Sequence, residues 1–120
     1  MKTMLVVDDS EYMRSLIKRY VSALDITVIG DAEDGNSGIE KFKELKPDIV
    51  TMDLAMDDGD GIKAIKEIIS HEPEAKIIVI SSIAGQEPVI HEAMKAGAKV
   101  VIDKNSLQSK LVEALRELLM

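Results

Sequence analysis

The chain has 120 residues with 46% hydrophobic and 31% charged side chains, a composition that suits one domain over residues 1–120 and argues against disorder. It contains no cysteine, which excludes a disulfide scaffold, a thiolate zinc site and a cysteine nucleophile. A net charge of −7 disfavours nucleic acid and anionic membranes as partners, and no apolar run approaches the roughly 20 residues that span a bilayer. Met1-Lys2-Thr3 leads into a strand-like run without a signal-peptide cleavage pattern, so the expected location is the cytoplasm.

Two hydrophobic periods alternate along the chain. The first run, Met4–Val7, is continuous and aliphatic, as expected of a strand covered on both faces. Met13, Leu16, Ile17, Tyr20, Val21 and Leu24 then form a helical stripe. A second strand is expected at Ile26–Ile29, followed by a weaker helix marked by Ile39, Phe42 and Leu45, with Gly38 near its start. Strand three falls at Ile49–Met52 and its helix at Ile62, Ile65, Ile68 and Ile69; strand four is Ile77–Ile80. Val89, Ile90, Ala93 and Met94 mark the next helix, with Gly97 as its C-terminal cap. Val100–Ile102 and a stripe of Leu107, Leu111, Ala114, Leu115 and Leu118, capped by Asn105 or Ser106, complete the pattern. Pro47 and Pro73 punctuate helix-to-strand connections. This βα alternation predicts an α/β domain with a parallel sheet and helices on both faces. Right-handed crossovers then gather the carboxyl ends of the strands on one edge, where ligands bind near the point at which strand order reverses.

The residues past the strands are the informative ones. Asp8 and Asp9 follow the first, Asp53 the third, Ser81 and Ser82 the fourth, and Lys104 the fifth. Each alone has an ordinary explanation: a helix cap, a turn residue, a solvated lysine. Their joint placement after different strands is harder to explain that way. Two unit charges about 4 Å apart repel by roughly 4 kcal/mol at an effective dielectric of 20, so three clustered carboxylates need a compensating cation. Mg²⁺ takes one or two carboxylates plus waters and phosphate oxygens, and a lysine adds a point charge for the same oxygens. Carboxylate, cation, ammonium and hydroxyl together suit transfer of a phosphoryl group onto an aspartate.

Val6-Val7-Asp8-Asp9-Ser10, Lys46-Pro47-Asp48-Ile49-Val50, Met52-Asp53-Leu54, Asp60-Gly61, the hydroxyl after Ile77–Ile80 and Ala96-Gly97-Ala98 ahead of Lys104 resemble a response-regulator receiver domain. The resemblance covers essentially the whole chain and is nearest to the stand-alone chemotaxis type, with no output domain. It implies a flavodoxin-like, doubly wound five-stranded parallel sheet of order 2-1-3-4-5. It further implies that Asp53 receives a phosphoryl group from a sensor histidine kinase. Asp9, Asp53 and the backbone carbonyl of Ala55 would hold Mg²⁺, with Asp8 assisting, while Ser81 and Lys104 contact the phosphoryl oxygens. Such a domain catalyses its own phosphorylation and is dephosphorylated by itself or by a phosphatase, without turnover on other substrates. Phosphorylation then biases a face made of helix 4, strand 5 and helix 5 toward a downstream effector.

Four departures bear on switching. Asp57 stands where the family has proline, and Gly59 replaces a common methionine. Asn105, not proline, follows Lys104, so that bond is either trans or part of a strained turn. Val101 occupies the position of the aromatic switch residue. These departures also fit a degenerate receiver acting as a phosphorylation-independent binding module, against which the retained acids and lysine speak.

Other readings fare worse. Gly59-Asp60-Gly61-Ile62-Lys63-Ala64 fits a dinucleotide fingerprint, but Asp57, Asp58 and Asp60 would repel a pyrophosphate. Asp58, Asp60, Gly61 and Glu67 mimic part of a calcium loop whose first ligand position is Met56. An aspartyl-phosphate hydrolase would carry a second acid two residues after Asp53, where Ala55 stands. His71 and His91, away from the strand ends, are expected to face solvent.

Overall fold

The computed structural model describes residues 1–54, 61–82 and 87–119. Its elements are β1 (Lys2–Val7), α1 (Glu11–Val21), β2 (Ile26–Ala32), α2 (Gly35–Leu45), β3 (Ile49–Asp53), α3 (Gly61–His71), β4 (Lys76–Ser81), α4 (Glu87–Ala96), β5 (Val100–Asp103) and α5 (Leu107–Leu119). A 3-10 turn over Lys104–Ser106 leads into α5. All strand pairs are parallel and the sheet order is β2-β1-β3-β4-β5. The doubly wound architecture expected from the sequence is the one present.

Strand alternation divides the core in two. Leu5, Val7, Val50, Met52, Ile77 and Val79 face α2, α3 and α4, whereas Met4, Val6, Ile49, Ile78, Ile80 and Ile102 face α1 and α5. Full burial of each such aliphatic side chain contributes about 1.5–3 kcal/mol, so two-sided coverage of β1, β3 and β4 makes them the stable frame for whatever their ends carry. The edge strand β2 is different. It runs on to Ala32, three residues past the expected Ile29, and its Thr27 and Ile29 are exposed because no strand flanks its outer side. Asp53 and Ser81 prove to be the final residues of β3 and β4 rather than the first beyond them.

Further boundaries differ for local reasons. Leu24 lies in a turn after α1, where its N–H donates to the Val21 carbonyl, yet it still packs on the α1/α5 core. Met94, expected on the buried stripe of α4, is 42% exposed; Ala93 alone is buried on that helix. Gly97 ends α4 at φ 126°, with the Gly97 N–H on the Met94 carbonyl and the Ala98 N–H on that of Ala93, a pair of bonds that satisfies the last helical carbonyls. The cap before α5 comes from neither Asn105 nor Ser106: Asp103 accepts from the Asn105 N–H and starts the 3-10 turn. Leu119, beyond the expected stripe, is buried with it. No peptide bond among the described residues is cis, so the Lys104–Asn105 link is trans.

Candidate functional site

The register of the central strands sets the site. Val7 pairs with Met52, so the chains of β1 and β3 emerge side by side, with Asp8 and Asp53 next in line. Asp53 in turn pairs with Ile80, which puts Ser81 one residue beyond on the adjacent strand. Ser81 pairs with Asp103, and Lys104 follows. The switch point lies here, because the chain leaves β1 toward β2 on one side and returns to β3 on the other.

Asp8, Asp9 and Asp53 each offer a carboxylate oxygen within 4.8 Å of the others. Asp8 and Asp53 are almost completely buried, whereas Asp9 is the most accessible of the three. Lys104 reaches between the buried pair, its Nζ 3.6 Å from Asp53 Oδ1 and 3.9 Å from Asp8 Oδ2. Asp8 is anchored by its own loop: its N–H donates to the Ala32 carbonyl and its Oδ1 accepts from the Ser10 N–H at 2.9 Å. Ser10, not either aspartate, is the N-cap of α1, accepting from the Met13 N–H. The capping explanation for Asp8 therefore holds only in part, since its second oxygen, Oδ2, is buried without a hydrogen bond. Burial pushes the Asp8 carboxyl up to about 6, with the Asp53 and Asp9 charges adding to the rise against the Ser10 bond and Lys104.

This donor set fits a hard divalent cation. All ligand atoms are oxygens, they are close enough to share one ion, and a buried anionic oxygen lacks a hydrogen-bond donor. The remaining expected ligand, the Ala55 carbonyl, lies outside the described residues, as do Met56, Asp57, Asp58, Gly59 and Asp60. Ser81 is buried at the end of β4 and Val101 is half-buried on β5. His71 and His91 are exposed, on α3 and α4.

Over residues 4–116 the sequence matches the response regulator receiver domain family. The chain belongs to the response-regulator receiver family. Among curated relatives, the chemotaxis protein CheY of Thermotoga maritima is 48% identical over 97% of this chain and 96% of its own. That of Bacillus subtilis is 40% identical over 96% and 95%. Similar solved structures include the response regulator domain of Thermotoga maritima CheB, with a TM-score of 0.88 and 34% identity over 98% of this receiver and 95% of that chain. The CheX–CheY–BeF₃–Mg²⁺ complex from Borrelia burgdorferi gives 0.92 and 27%, covering 99% and 90%.

Residue-by-residue reading of the sequence missed a group beside this receiver's acidic edge. Arg14 on α1 donates from Nη1 to the Asp8 carbonyl at 2.6 Å, and its Nε lies 3.4 Å from Asp31 Oδ2. Lys18 pairs with the same oxygen at 2.7 Å, while Lys41 donates to the Asp31 backbone carbonyl. The Lys18 hydrogen bond holds the Asp31 carboxyl below the usual aspartate range. The only sequence trace of this group is a pair of cations, Arg14 and Lys18, one helical turn apart.

Proposed function

We propose that this receiver is a phosphoacceptor switch of a two-component system, modified on Asp53 by a sensor histidine kinase. The observation that carries this reading is Lys104 bridging Asp53 and Asp8 inside a cluster of three carboxylates. An Asp53 oxygen attacks phosphorus in line, a P–O bond forms, and the P–N bond to the kinase imidazole breaks, the electron pair leaving with nitrogen. Lys104 offers its charge to the phosphoryl oxygens in place of the Asp53 charge that the reaction consumes. Ser81, at the end of the neighbouring strand, has a hydroxyl to donate to the same group. Asp8, Asp9, Asp53 and the Ala55 carbonyl would hold Mg²⁺, which when bound neutralises the transferred oxygens. Water later cleaves the acyl phosphate to restore the carboxylate and release inorganic phosphate, either unaided or with a phosphatase.

The CheY relatives support a chemotaxis role. The Borrelia complex pairs a CheY with CheX, which supports a phosphatase-type partner. An effector would engage the α4, β5 and α5 face, where Val101 and Ala114 floor a groove of about 330 Å³ rimmed by Lys110, Glu113 and Glu117. With valine there in place of a ring, the output cannot be read through an aromatic rotamer. No helix among the described residues is long and apolar enough to cross a membrane. Nothing in the site favours the phosphorylation-independent module.

Incubation with acetyl phosphate and Mg²⁺ is expected to add one phosphoryl mass to the wild-type chain and none to Asp53→Asn. An equal addition to both proteins would remove Asp53 as the acceptor.

A further inference from the structure

We infer that Arg14 is a positioning residue for the cation site, a role that rests on the reading of Asp8 and Asp9 as metal ligands. The carbonyl that Arg14 holds belongs to the peptide joining those two residues. Its Nη1 lies 2.6 Å from the Asp8 oxygen, so the guanidinium fixes the plane of the Asp8–Asp9 peptide and with it the direction in which Asp9 leaves the strand end. Asp8 has two more anchors, the Ala32 carbonyl and the Ser10 N–H. Asp9, the most accessible of the three acids, follows directly on the peptide that Arg14 grips.

The guanidinium is itself aimed. Asp31 Oδ2 sits 3.4 Å from Nε, and Nε, although buried, makes no aligned hydrogen bond, so this contact is an electrostatic guide for the fork. Asp31 is fastened from both sides, by Lys18 on α1 and Lys41 on α2. The result is a chain of contacts from the end of β2, through Arg14, to the peptide between two carboxylates. Arginine suits this place because its planar, rigid fork reaches the carbonyl and the carboxylate at once, which one ammonium cannot do. Groups that orient metal ligands without touching the ion commonly matter about tenfold or more for affinity.

Lys18 provides the control, since it acts on Arg14 only through Asp31, which Lys41 also holds, and is not among the donors to the Asp8 carbonyl. Mg²⁺ affinity is measured from the melting temperature as a function of MgCl₂ for wild type, Arg14→Gln, Arg14→Lys, Lys18→Gln and Asp9→Ala. Acetyl phosphate labelling is followed in parallel. Arg14→Gln is expected to raise the half-saturating Mg²⁺ concentration roughly tenfold, with Arg14→Lys in between and Lys18→Gln within about twofold of wild type. The labelling rate of Arg14→Gln at saturating Mg²⁺ should return toward that of wild type, because the acceptor is untouched. Metal-free stability falling equally in the Arg14→Gln and Lys18→Gln variants, with unchanged Mg²⁺ affinity in both, would overturn the inference and leave Arg14 a fold contact. If Asp9→Ala does not alter the Mg²⁺ response, the metal reading fails first and the role of Arg14 falls with it. Should Arg14→Gln fail to fold, Arg14→Lys alone decides by the same shift.

Discussion

Asp8 combines a hydrogen-bonded oxygen with one that is buried without a hydrogen bond, and this asymmetry gives it a measurable signature. Its carboxyl titrates near 6 because the charged form loses solvation and faces two other acids. Near neutral pH the metal-free protein must therefore carry an unfavourable charge. An asparagine keeps the oxygen that accepts from Ser10 and removes that charge. Asp8→Asn should raise metal-free stability by about 1–2 kcal/mol at pH 7.5 in urea unfolding with a chelator present. The same variant should gain less stability from Mg²⁺ than wild type. A loss of metal-free stability would mean that the lost Lys104 contact outweighs the relieved burial and repulsion. Asp8, Asp53 and Lys104 were legible in the sequence because each sits at a strand end, and strand ends are encoded by where the aliphatic runs stop. Arg14 was not. Its partners, the Asp8 carbonyl and Asp31, are chosen by how β2 lies against β1, and nothing near Arg14 in sequence announces either contact.

Among the elements, α3 stands in the tightest relation to the acceptor. A Cβ on Gly61 would lie 2.8 Å from the Asp53 carbonyl oxygen and 2.9 Å from Leu54 Cα, both backbone atoms that cannot rotate away. The first turn of α3 thus approaches the end of β3 as closely as a residue without a side chain permits. Gly61→Ala is expected to cost about 2–3 kcal/mol in chemical unfolding, in line with overpacking elsewhere. Because one of the displaced atoms is the Asp53 carbonyl oxygen, acetyl phosphate labelling should slow as well. Wild-type labelling in a destabilised variant would show that the acceptor tolerates a shift of its own carbonyl. Sequence periodicity located all five strands and helices, since three strands are covered on both faces and each helix buries one stripe. It misjudged the places where burial is decided from outside the element. Met94 projects to solvent because α4 turns Ala93 and Ala96 toward the core, and β2 continues to Ala32 through Gly30 and Asp31 because one side of it is open. The cap before α5 was misplaced for a related reason: a 3-10 turn intervenes, and its start is set by Asp103 at the end of β5.

At the scale of the whole molecule, acid titration should pull stability in two directions, and their balance should depend on the metal. The Asp31, Asp34 and Asp48 carboxyls lie below the ordinary aspartate value of 3.8, held there respectively by Lys18, by the Ser37 N–H and by the Thr3 N–H. What they contribute is present above that value and is lost as pH falls through their folded pKa values. Asp8 has the opposite sign: its folded pKa is about 6 against 3.8, so its contribution is complete at acid pH and is lost as pH rises through 6. The metal-free receiver should accordingly be most stable near pH 4–5, within the roughly two-unit window between these transitions. Mg²⁺ reverses the upper limb, because an ion held by Asp8 must displace its proton and affinity then grows as pH climbs past 6. The melting temperature measured from pH 4 to 8 should therefore decline above about pH 5 in chelator and hold level or rise in saturating Mg²⁺. Asp8→Asn should flatten the chelator curve over that range. Parallel curves with and without Mg²⁺ would separate the buried acid from the cation and place the ion elsewhere on the −7 surface.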